Sequence, residues 1–137
     1  IRDSAVFFRQ SGLAAHPVMA RAAERWTLRV WGTGLGPGGH QAPHMHPLGW
    51  LSGAYYVRVP DDMQPMPGSS DPALIAGALE FGRPPEHLLI KTPAEVRVVE
   101  PRAGRLALFP SAFYHRTIPF TSGTRRISIA FDAMPLR

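Results

Sequence analysis

From Arg25 onward the chain alternates apolar and polar residues at period two, the spacing of strands with one face toward a core. Trp26, Leu28 and Val30 alternate with Thr27, Arg29 and Trp31. Residues 51–59 form the clearest strand. Leu51, Gly53, Tyr55, Val57 and Val59 share one face, and Ser52, Ala54, Tyr56 and Arg58 share the other. Shorter strands are predicted over 78–82, 95–100, 105–109, 115–120 and 126–132. In the last of these, Arg126, Ser128 and Ala130 face one way, while Ile127, Ile129 and Phe131 face the other. Many short strands with turn residues between them predict a barrel or a sandwich.

The remaining segments read differently. Residues 1–24 carry Pro17 followed by Val18, Met19, Ala20, Ala22 and Ala23, which predicts a short helix with proline in its first turn. They form an N-terminal helix and linker segment, and residues 25–137 form the β domain. Gly32 to Gly39 is glycine-rich and includes Gly34-x-Gly36. Pro37 intrudes and no helix pattern follows, so a mobile turn is predicted instead of a phosphate cradle. Residues 60–77 are rich in proline and aperiodic, and predict a long loop of the kind that is either a functional lid or disordered.

Composition narrows the chemistry. A chain of 137 residues can bury the core of one domain, and with no cysteine it has no thiol nucleophile, thiolate metal site or disulfide. Its 15 basic and 10 acidic residues leave a net charge of +5. All the basic residues but Lys91 are arginine, and they are scattered, which argues against a nucleic-acid surface. No apolar run approaches the length of a membrane span, and the N-terminus lacks the order of a signal peptide. A cytoplasmic protein is expected. The chain opens on Ile1, so it reads as a piece of a longer protein.

Of the histidines, His16 and His87 stand alone, whereas His44-Met45-His46 places two imidazoles on one side of an extended segment. A third ligand must come from another strand, and His115 is the natural candidate. Three imidazoles suit Zn, Fe, Ni or Cu better than Mg or Ca.

The stretch His44-Met45-His46-Pro47-Leu48-Gly49-Trp50-Leu51-Ser52-Gly53-Ala54-Tyr55-Tyr56-Val57 resembles the signature of a bacterial group of 2-oxoglutarate/Fe(II)-dependent oxygenases. Members of this group are often appended to tetratricopeptide-repeat proteins. Residues 77–85, residues 101–111 leading to His115, and residues 126–132 resemble the group's following motifs in order. The resemblance covers about residues 26–135 and implies a double-stranded β-helix, a jelly-roll barrel of the cupin kind. It also implies that Fe(II) is held by His44, His46 and His115. The cosubstrate 2-oxoglutarate would be consumed with O2, yielding succinate, CO2 and a hydroxylated product of unidentified identity. Fusion to a repeat domain is a further implication.

By the same resemblance, the distal carboxylate of 2-oxoglutarate is expected on Arg126, whose planar guanidinium can bind it through two parallel hydrogen bonds. Ser128 lies on the same face, and Tyr56 can add a phenolic donor. Arg125 faces the other way and is the second choice. The pattern departs from the commonest triad at His46, where a carboxylate is usual. Imidazole there raises the site's charge by one. Glu80 and Asp132 are candidates for a compensating carboxylate behind a ligand.

Other readings compete. Gly38 spaced five residues before His44-Met45-His46 matches the start of the cupin signature, but Trp50 and Leu51 stand where its glutamate belongs. A cupin-like isomerase or dioxygenase is therefore the alternative, followed by a non-catalytic binding module using the same histidines. Ser111, His115 and Asp132 have no nucleophile elbow around the serine, so a hydrolase triad is not indicated. Met63, Met66 and His40 are expected at the mouth of the site, as is Trp50, which packing explains as well.

Overall fold

The computed structural model describes residues 3, 6–7, 10–68 and 75–136, and part of the 60–77 loop lies outside them. Its strands are β1 (Trp26–Leu35), β2 (Leu51–Arg58), β3 (Gln64–Pro65), β4 (Leu79–Phe81), β5 (Arg97–Val99), β6 (Leu106–Pro110), β7 (His115–Thr117), β8 (Phe120–Thr121) and β9 (Arg126–Pro135). They form a four-stranded sheet in the order β1-β9-β2-β6 and a three-stranded sheet in the order β5-β4-β7; β3 and β8 pair separately. All of the pairings between named strands are antiparallel. The mainly β reading holds, as does each strand expected after residue 25. Most ends shift by a residue or two, but β7 stops at Thr117 with Phe120 in a separate β8, β9 runs on to Pro135, and β1 runs on to Leu35.

Two elements differ from expectation. The N-terminal helix is a 3-10 turn, Pro17–Arg21, capped by the His16 ring accepting from the Val18 N–H. Proline suits its first turn, but β/extended backbone at Ala22 stops it before an α-helical ladder can form. The first part of the glycine-rich stretch is no turn, because β1 runs on through Gly32, Thr33, Gly34 and Leu35. Those residues pair with β9 in unbroken register, and this ladder outweighs the strand-weakening tendency of glycine.

The core has two parts. Leu79, Ala107 and Phe109 fill the space between the sheets, with Phe81 and Val99 against them. Trp50, Leu51 and Ala133 form a second cluster, onto which Val18, Met19 and Ala22 pack. The Trp50 indole N–H donates to the Val18 carbonyl, so Trp50 is a packing residue rather than part of a mouth. No described helix is long and apolar enough to cross a membrane.

The four-stranded sheet inverts the simplest hydrophobic reading. Its apolar rows, among them Leu28, Val30, Tyr55, Val57, Leu106, Leu108, Ile127 and Ile129, lie partly exposed on the outer face. Its more polar rows, including Thr33, Ser52, Tyr56, Arg126 and Ser128, line a cavity between the sheets. Gly53 makes room on that sheet, because a Cβ there would collide with the Phe131 ring.

Candidate functional site

The cavity is walled by β1, β2, β4, β6, β7 and β9, and the segment 38–46 closes one side of it. This segment follows β7 and β8 closely enough to bond them. The Gly38 N–H donates to the Phe120 carbonyl, the Thr117 N–H to the Gln41 carbonyl, and His44 and His115 exchange both backbone bonds. The His46 N–H then donates to the Ser111 carbonyl. This docking brings His44-x-His46 against a histidine far along the chain. The ligand atoms of His44, His46 and His115 lie within 4.8 Å of one another.

Each imidazole is held from behind by its Nδ1. That of His44 lies 2.7 Å from the Ala42 carbonyl, and that of His115 lies 2.9 Å from the Phe113 carbonyl. The Nδ1 of His46 lies 2.7 and 2.8 Å from the two oxygens of Asp132. An acceptor at Nδ1 fixes the proton there and leaves the Nε2 lone pair for an ion. Burial, helped by the neighbouring His44 and His46, pulls the His115 pKa down to about 4, so its ring is neutral at neutral pH. Phe109 packs against that ring at 4.8 Å between centroids, and Trp31 stacks on His46 at 5.7 Å. The donor set is closed on one side and of a kind that divalent transition metals accept.

Arg126 is 3 % exposed and donates from Nη1 to the Gly77 carbonyl at 2.6 Å. Its Nε has no hydrogen-bond partner, and neither does the nearby Thr117 hydroxyl. Buried donors are rarely left unpaired, so two in one cavity point to a polar group that the cavity receives. Burial lowers the Arg126 pKa against the pull of Tyr56, yet an arginine remains charged. Burial also raises the Tyr56 phenol, opposed by the charge of Arg126 and a hydrogen bond from it. The guanidinium carbon sits 5.2 Å from the Tyr56 ring centre. Ser128 lines the same cavity, and Arg125 is exposed.

All of the expected site residues, His44, His46, His115, Arg126, Ser128 and Tyr56, therefore meet in one cavity. The carboxylate behind His46 is Asp132. Glu80 is buried too, but it points to the other side of β4, where Arg83 and Arg116 hold it at 2.7 Å each. Met66 and His40 line a different groove, with Pro65, Pro67, Arg116 and Pro119. The sequence reading missed Thr117 and Trp31. The same-face rule applied to His115 and its second neighbour would have found the first. Trp31 shared a face with Arg29 and Thr27, and nothing in the pattern marked that face as the inner one.

Three comparisons bear on this arrangement. The family described as "Putative 2OG-Fe(II) oxygenase" matches residues 29–132. A PKHD-type hydroxylase of Parvibaculum lavamentivorans is 41% identical over 56 residues, which are 37% of this chain and 26% of that protein. The crystal structure of a Pseudomonas putida prolyl-4-hydroxylase superposes with a TM-score of 0.58 over 93% of this chain and 61% of that one, at 16% identity. That likeness shows the fold, a double-stranded β-helix. The chain thus spans about a quarter of the length of the curated relative and 61% of the structural one.

Proposed function

The chain belongs to the 2OG-Fe(II) oxygenase family, and from that premise we propose that it binds Fe(II) and 2-oxoglutarate in this cavity and hydroxylates a substrate with O2. The observation that carries the reading is the buried Arg126 with an unpaired Nε in the same cavity as three convergent imidazoles. His44, His46 and His115 would hold the metal. Arg126 would receive the distal carboxylate of 2-oxoglutarate, with Thr117, Ser128 and Tyr56 as further donors. Bound together, metal and keto acid supply the activation of O2 that yields succinate, CO2 and the hydroxylated product.

The protein's own contribution is placement. Phe109, Leu79 and Ala130 make part of the wall apolar, which limits water and strengthens the charge-assisted bonds to Arg126. The Nδ1 acceptors keep all three rings in the tautomer a metal needs. We take residues 25–137 as the catalytic domain and 1–24 as the segment that leads into it. The cytoplasm is the proposed setting, and attachment to a repeat domain is the proposed context.

Anaerobic addition of Fe(II) and 2-oxoglutarate tests the reading, followed by the visible charge-transfer band of a chelated keto acid. The band should need both additions, vanish in His115→Ala and weaken in Arg126→Ala. Iron binding without the band would favour a cupin-like metal module over an oxygenase.

A further inference from the structure

We infer that Asp132 supplies to the metal site, through the His46 ring, the negative charge that a directly coordinating carboxylate would otherwise bring. The inference rests on the metal reading above and concerns how the site is made suitable for a divalent ion. Iron oxygenase sites ordinarily combine two histidines with one carboxylate. The convergent set here is three imidazoles, neutral in the tautomer their Nδ1 acceptors enforce, and it lacks one negative charge by comparison.

The three rings are not held alike. His44 and His115 each meet a neutral carbonyl two residues back along the chain, Ala42 and Phe113. His46 alone meets a carboxylate, from β9, with both oxygens within 2.8 Å of its Nδ1. Such a carboxylate makes the opposite nitrogen a stronger donor and passes part of its charge to whatever that nitrogen binds.

The surroundings of Asp132 support a charge held in reserve. It is 7 % exposed, and among the described residues its only ion-pair partner is His46. Arg29 stands opposite it in the β1–β9 register but is exposed and makes no ion pair with it. The carboxylate is steadied by neutral groups instead. The Ser52 hydroxyl donates to Oδ1 at 2.6 Å and is itself 2.8 Å from the Ser111 hydroxyl. A carboxylate buried without arginine or lysine is costly, and a cation on the far side of His46 offsets that cost.

The test is metal affinity in a cycle of Asp132→Asn and His46→Asp, read by competition titration of Fe(II) and by the Co(II) absorption spectrum. Asparagine can accept the same bond from Nδ1 but carries no charge. Asp132→Asn should weaken binding about 10- to 100-fold, with the thermal midpoint of the metal-free protein little changed. In the His46→Asp background, where a carboxylate reaches the ion directly, the same substitution should cost nothing or improve affinity. An equal cost in both backgrounds, or no cost in the parent protein, would overturn the inference while leaving the three-histidine site in place. A parent protein that takes up neither metal would overturn the site itself. Should His46→Asp fail to fold, Ser52→Ala is the second arm. It removes a supporting bond but no charge, and should weaken binding far less than Asp132→Asn.

Discussion

Arg126 and Asp132 share one face of β9, the first at its start reaching the Gly77 carbonyl and the second further along reaching the His46 ring. At about 3.4 Å of rise per residue, one strand sets the distance between the two polar ends of the cavity. Its pairing with β1 on one side and β2 on the other makes that distance rigid. Placement of a bidentate acid between a cation and a metal needs such a fixed span.

Arg126→Ala should therefore weaken 2-oxoglutarate binding, and Arg126→Lys should rescue little of it. A charge-assisted hydrogen bond contributes about 1.5–3 kcal/mol, so the loss is about 10- to 100-fold in affinity. A lysine keeps the charge but not the planar fork, and cannot both hold the Gly77 carbonyl and grip a carboxylate. Calorimetric titration of the Fe(II)-loaded protein with 2-oxoglutarate checks this. Wild-type affinity in Arg126→Lys would show that charge alone is sufficient.

The strands and the His44-x-His46 pair were legible in the sequence because both depend on spacing alone. Period-two alternation marked β2 and β9, and His44-x-His46 needed only an extended backbone to converge. The inward faces were not legible from alternation alone; it was the family resemblance that placed Arg126, Ser128 and Tyr56 in the site. Ile127 and Ile129 look like core residues, yet they lie on the outer surface while Arg126 and Ser128 are buried. The inner side of that sheet lines a cavity with polar groups, which reverses the usual pattern there. The choice between Glu80 and Asp132 was equally hidden. It turns on register, since Glu80 lies opposite Arg116 in the β4–β7 pair while Asp132 reaches a ring 86 positions away.

Glu80 should govern acid stability. Burial alone would raise its pKa, but hydrogen bonds and charge from Arg116 and Arg83 outweigh that and hold it below the ordinary value. A depressed carboxylate contributes stability that is complete above the unfolded pKa and is lost as pH falls through the folded one. Glu80→Gln should thus cost about 2 kcal/mol at neutral pH, discounted for the partial exposure of both arginines. The difference from wild type should shrink below about pH 4.5. Urea unfolding of both proteins from pH 7 to 3 measures it, and a difference independent of pH would refute the ion-pair account.

Gly82 should tolerate no side chain. Its φ is +96°, and a Cβ there would run into the Glu95 backbone carbonyl. The strain of the positive φ and the clash with main chain add, and neither can be relieved by a rotamer change. Gly82→Ala should cost about 2–4 kcal/mol, read as a lower urea midpoint at unchanged slope. Gly104→Ala is the control. It shares a positive φ of 83° but meets nothing within 4 Å, so it should cost less.

Thr117→Val separates a binding role from a structural one by the sign of two effects. The Thr117 hydroxyl is buried without a partner, two residues beyond His115 on the same face of the strand. An unpaired buried hydroxyl weakens the folded state, so replacing it with a methyl of similar shape should leave the ligand-free protein equal or up to about 1 kcal/mol more stable. If the hydroxyl is kept for the carboxylate beside Arg126, the same change should weaken 2-oxoglutarate binding about 3- to 10-fold, the share of one neutral hydrogen bond. Thermal midpoints without ligand and titrations with 2-oxoglutarate give the two readings. Loss of stability together with unchanged affinity would mean that Thr117 has a structural partner and takes no part in holding the acid.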